Sequence, residues 1–254
     1  MLPSSARRMS PIRCASLRKK MKSKIYSNRK LIGTSELQIT DESMGVVSGK
    51  FVPNKNYEEI RKTIWNFHNS TSNNKFEDLN RLRINCQLEN EVFLYPLGGF
   101  LITDFKELSK EDLQFEAAGN YRHIIEDNFL ANSPKERIFE PWEFITIEQK
   151  ISYEDELFKE IGRTSKKGIL DFLKPKKHKL NEYEFNAIAK FCRNDDVLFT
   201  VNKKGENKYD YAVIHLTWKG KLEENDNYPR TEFFEDFDHF LNYRLYPDKR
   251  DWEE

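Results

Sequence analysis

Any chemistry in this chain has to come from few side chains, and His215 is the first of them. It sits in the run Tyr-Asp-Tyr-Ala-Val-Ile-His-Leu-Thr-Trp over 209–218, with the adjacent acids Asp195 and Asp196 upstream. An imidazole beside a carboxylate is what general acid–base catalysis needs, and a small hydrolase would use it to take a proton from water or a hydroxyl. His239, with Asp236 and Asp238 just before it, offers the same residue types. Neither spacing is diagnostic, and a histidine inside a strand is ordinarily a hydrogen-bonded structural residue. Asp236 reads more simply as the cap of a closing helix. Cys192 would act as a nucleophile only as a thiolate, yet its helical spacing with Phe185, Ile188 and Ala189 predicts a buried, inert thiol. His123 and Asp127, four apart on a predicted helix, read as a surface ion pair, and His68 as a cation at a helix C-terminus. Cys14, Cys86 and Cys192 show no Cys-x-x-Cys or Cys/His spacing, so neither a disulfide framework nor a zinc site is expected. Gly98-Gly99 lacks the Lys-Ser/Thr of a phosphate loop and reads as structural. No metal and no cofactor is expected.

The elements that would position these groups are organised around 209–218, whose β-branched and aromatic residues predict a buried strand. In an extended chain Ala212, Ile214, Leu216 and Trp218 share an apolar face, which makes Trp218 core. Tyr211, Val213, His215 and Thr217 line the other face, to be covered by a helix or left half wet. Val197–Val201 predicts its hairpin partner across a polar turn centred on Gly205. Asn181 with Glu184 reads as a capping pair opening a helix over 181–193. Thr231–Phe234 predicts a short edge strand, and Phe237, Phe240, Leu241 and Leu245 the inner face of a closing helix that Pro247 stops. Upstream, 24–37 predicts a hairpin turning at Asn-Arg-Lys. Asn56 with Glu59 opens a helix to about His68, and strands are expected near 82–88, 91–96, 98–105 and 113–118 before a helix over 121–129. The fold class that follows is α+β, with two small domains, each an antiparallel sheet flanked by helices. The expected boundaries are a disordered basic tail over 1–20, an N-terminal domain over 21–131, a partly helical connection over 132–180 and a C-terminal domain over 181–254.

Composition narrows the function classes. With 33% charged residues and only 38% hydrophobic ones, the 254-residue chain reads as soluble, and its longest apolar run, interrupted by glycines and a proline, is too short to span a bilayer. The zero net charge hides an asymmetry: ten of the 42 basic residues lie in the first 35 positions, which hold no acid, so the remainder carries 32 bases against 42 acids. Residues 1–20 lack an apolar core for a secretory signal and read as a disordered tail, or as sequence upstream of a start at Met21. The basic cluster from Lys159 to Lys179 is interleaved with apolar residues and reads as the solvated face of a docked helix rather than a nucleic-acid site. The last 33 residues hold eleven acids and four bases.

The block Tyr211-Ala-Val-Ile-His-Leu-Thr-Trp218 with Pro229-Arg-Thr-Glu-Phe-Phe234 and a Phe-rich acidic helix resembles a segment of small uncharacterised bacterial proteins. The resemblance covers roughly the last sixty residues and implies a compact module in a bacterial, cytoplasmic protein; it transfers no catalytic residue. Function is therefore expected from charge. The acidic C-terminal region, with Glu223, Glu224 and Asp226 in an exposed loop, is expected to hold a basic protein partner, as immunity-type neutralisers do. The alternatives are a small hydrolase using His215 and nearby acids, or nucleic-acid association through the basic segments.

Overall fold

The computed structural model describes residues 19–69, 75–106, 108–109, 112–131, 135, 137–163, 178–203, 205, 208–225 and 227–254. Outside them fall nearly all of the tail, Asp226, and Lys166, Lys167, Lys174, Lys176 and Lys177 of the basic cluster. The architecture is α+β: two antiparallel sheets, one of seven strands and one of five, with several helices.

The first sheet grows from a hairpin, β1 (Met21–Ser27) and β2 (Lys30–Asp41), whose turn places Asn28 at φ 51, a left-handed conformation that asparagine tolerates. β3 (Val46–Pro53) leads to α1 (Glu58–Asn69). A short 3-10 turn opens this helix, and its cap is Asn54, accepting from the Asn56 N–H, rather than Asn56 itself. After α2 (Lys75–Arg81), β4 (Ile84–Leu88), β5 (Phe93–Leu94), β6 (Phe100–Thr103) and β7 (Gln114–Ala117) complete the order β5-β4-β1-β2-β3-β7-β6. α3 (Arg122–Ile125) continues as a π turn over Glu126–Leu130.

The second sheet has the order β12-β11-β10-β9-β8, from β8 (Trp142–Phe144), β9 (Tyr183–Phe191), β10 (Asp196–Lys203), β11 (Tyr211–His215) and β12 (Arg230–Phe234). Between β8 and β9 runs α4 (Ile147–Glu160), opened by a complete capping box of Thr146 and Gln149. Ala212, Ile214 and Leu216 share a buried cluster with Ile147, Ile151 and Leu157 of α4, so the apolar face expected of the 209–218 run lies under this helix. Tyr211 and Val213, on the opposite face, join Leu198, Phe237 and Phe240 in a larger cluster that also contains Met21, Phe51 and Phe115 of the first sheet. One apolar core thus runs across both sheets.

Four local expectations are corrected. Residues 183–191 form a strand, not a helix. A bulge in its pairing with β10 buries Ala187, Ile188 and Ala189 in succession, which imitates a helical spacing. Cys192 accordingly falls just past a strand end and is exposed. Trp218 is not core: β11 ends at His215, and Trp218 turns out of the sheet at φ 56, leaving 46% of its surface exposed. Pro247 does not stop the closing helix. α5 (Phe237–Phe240) passes through a π turn over Leu241–Leu245 into α6 (Tyr246–Glu253), and Pro247 sits in the first turn of α6, where a missing N–H is harmless.

Candidate functional site

The strand register assembles the site around His215. Asp196 on β10 lies opposite His215 on β11, and His215 lies opposite Arg230 on β12, so the three form one cross-strand row on the face away from α4. The His215 Nδ1 is 2.8 Å from Asp196 Oδ1. Asp196 is itself fixed: its N–H donates to Asn194 Oδ1 at 2.8 Å, and Arg244 donates to its Oδ2 at 2.5 Å. Arg244 comes from the π turn between α5 and α6 and also donates to Asp248 at 2.9 Å and Glu232 at 3.3 Å. The Trp142 indole N–H donates to the same Asp248 oxygen at 2.8 Å. An open cleft of about 400 Å³ lies over this row, with Tyr228 and Arg230 on its wall. The half-wet face expected beyond Val213 is this cleft. With Nδ1 on a carboxylate, Nε2 is the ring nitrogen left open, the geometry of a histidine oriented for proton transfer or for gripping a ligand.

The other sequence candidates do not join it. The Asp195 carboxylate accepts the Trp218 indole N–H at 2.9 Å instead. Asp236 caps α5 by accepting the His239 N–H at 2.7 Å, as expected, and Asp238 pairs with Arg137 at 3.0 Å. The His68 ring meets the Ile102 carbonyl at 2.8 Å. Gly98 lies against the Ala118 backbone, a structural close approach.

The acidic loop is only partly what its composition suggests. Glu223 is buried, accepting from the Lys219 ammonium at 2.9 Å and lying 2.5 Å from the Thr217 hydroxyl, so it is a structural member of the loop rather than an exposed charge. Glu224 is exposed, and Asp226 lies outside the described residues. The loop hangs on α4: Glu160 Oε1 accepts the N–H groups of Thr217 at 2.7 Å and Trp218 at 2.8 Å, and Glu156 accepts that of Gly220 at 2.7 Å. Burial and the neighbouring Glu156 raise the Glu160 pKa despite these bonds.

A second polar cluster escaped the sequence. His123 is no surface ion pair: its Nε2 meets the hydroxyls of Tyr95 at 3.1 Å and Tyr211 at 3.2 Å, and its ring stacks on Phe237 at 5.0 Å. Asp127 is buried and pairs with Arg137 at 2.7 Å. Burial pushes the His123 pKa down to about 4, so the ring is neutral and shares hydrogen bonds with the two tyrosine hydroxyls, which also bond each other at 3.1 Å. The i, i+4 spacing concealed this because the partners come from β5's following residue and from β11, far away in sequence. No group of His, Cys, Asp or Glu among the described residues is arranged to hold a metal ion, and no helix among them is long and apolar enough to cross a membrane. Comparison with protein-family models, curated proteins and solved structures finds no match.

Proposed function

We propose that this chain is a protein-binding module that holds a basic protein partner through the surface of its C-terminal helix. The observation that carries the reading is the placement of charge on α6. Asp251, Glu253 and Glu254 are exposed at its C-terminal end, where the helix dipole disfavours acids. Glu253 makes only an exposed i,i+4 pair with Lys249 at 3.6 Å, and Asp251 and Glu254 have no ion-pair partner among the described residues, so these acids are available to a contact outside the chain. Tyr243, 70% exposed, and the exposed Tyr246 and Trp252 lie along the same segment, 235–254, which also carries the exposed Glu235, Asp236 and Asp238. Exposed tyrosine and tryptophan within a charged rim is the composition of interaction surfaces, and the acids select a partner of opposite sign. An immunity-type role, neutralising a basic protein, is the form of this reading that the acidic excess supports. Glu224 adds to the same field.

Affinity capture from the producing cells, followed by titration of the captured protein, tests the reading. Tyr243→Ala should weaken binding by roughly 1–2 kcal/mol while leaving the melt unchanged, because an exposed aromatic contributes to an interface and little to a core. Capture of acidic proteins only, or affinity indifferent to Tyr243, would refute it. The hydrolase alternative is favoured by one observation, the His215–Asp196 pair opening on a cleft. On that reading His215→Ala abolishes turnover of some substrate; on the binding reading it leaves partner affinity intact.

A further inference from the structure

The cleft at His215 contains two nitrogen groups that the fold does not use. Arg230 is exposed, and among the described residues its guanidinium has no acid partner; His215 Nε2 likewise has none. This is unusual, because every nearby acid is engaged: Asp196, Glu232 and Asp248 all converge on Arg244, and Asp196 also takes His215 Nδ1. The register that places His215 directly opposite Arg230 puts their Cβ atoms about 5 Å apart on one face. Two such groups at that separation suit one anionic group: Arg230 supplies a planar fork, and His215 Nε2 donates a second N–H when the ring carries both protons. Asp196, held by Asn194 and Arg244, keeps the ring from turning away. Tyr228 lines the same cleft. A volume of about 400 Å³ is that of a small-molecule site.

We propose that this cleft binds the oxyanion of a small ligand, a phosphoryl or carboxylate group seated between His215 Nε2 and Arg230. The cleft is lined by none of the acids assigned to the partner surface and serves a ligand of opposite charge to the proposed protein partner. Arg244 is excluded as the gripping group because three carboxylates already occupy its donors.

The test follows the His215 ring resonances of the full chain while inorganic phosphate, or in a second arm acetate, is titrated against chloride at matched ionic strength. A saturable response to phosphate, acetate or both is expected, and its preference tells a phosphoryl ligand from a carboxylate one. Arg230→Gln should weaken that binding about tenfold or more, as loss of a charge-assisted hydrogen bond does. Calorimetry should give the same loss for His215→Gln. Arg122→Gln, an exposed arginine paired with Glu126 elsewhere, should bind as wild type. Thermal melts of each variant confirm that it is folded. No saturable response above chloride to either anion, or a response that survives Arg230→Gln, would overturn the proposal.

Discussion

Trp218 shows how a residue's worth depends on where its strand ends. Fully buried, its truncation would cost about 3–5 kcal/mol. With half of the side chain in water and its indole N–H on Asp195, Trp218→Ala should cost only about 1–2 kcal/mol by denaturant titration. A loss near the larger range would place the ring in a core after all. His123 gives a pH test. Its pKa in the folded chain, about 4, lies below the ordinary 6.5, so as pH falls the unfolded chain takes up the proton first. The stabilisation is complete above about pH 6.5 and lost on acidification toward pH 4, by roughly 2–3 kcal/mol. His123→Gln keeps an acceptor for Tyr95 and Tyr211 but cannot titrate, and it should flatten that part of the stability–pH curve. An unchanged slope would assign the acid sensitivity to other groups.

At the scale of elements, the loop over 217–223 is held by α4 rather than free. Glu160→Ala leaves the N–H groups of Thr217 and Trp218 without their acceptor, and a loss of about 2–4 kcal/mol is expected from the melt. Glu224→Lys, at an exposed position, should leave the melt unchanged, whereas Glu223→Lys should lower it. Equal tolerance of all three would mean that the loop is not anchored. The strand at 211–215, its hairpin with β10, the edge strand β12 and the Asp236 cap were legible because alternation and capping are local signals. β9 was not, because its bulge buries three residues in a row and a bulge is set by the partner strand. The continuation of the last helix through Pro247 was illegible for a similar reason: the π turn that accommodates it leaves no periodic mark. Of the candidate site, His215 and Asp196 could be named from sequence. Arg230, Arg244 and Glu232 could not, since only strand register and the packing of a helix bring them to the same cleft.

Across the whole molecule, the core that joins Phe51 and Phe115 to Leu198, Tyr211 and Phe240 predicts that the two sheets unfold together. The ion pairs from Arg83 to Glu154 and Asp155 of α4 tie them as well. Calorimetry should show one transition whose calorimetric and van't Hoff enthalpies agree, and two separated transitions would show independent sheets. Outward from that core, Asp236 caps α5, Asp238 pairs with Arg137 and Asp248 holds Arg244, whereas Asp251 and Glu254 at the end of α6 are exposed and have no ion-pair partner among the described residues. The most direct test of the proposed function reverses Asp251, Glu253 and Glu254 to Lys and measures the dissociation constant of the captured basic protein as a function of salt. The fold should be unharmed, because lysines suit a helix C-terminus better than acids do. Binding should weaken at low salt and lose most of its salt dependence, since exposed charges act through a field screened over about 8 Å at physiological ionic strength. A triple variant that keeps both the wild-type affinity and the wild-type salt slope would contradict the assignment of this helix as the partner surface.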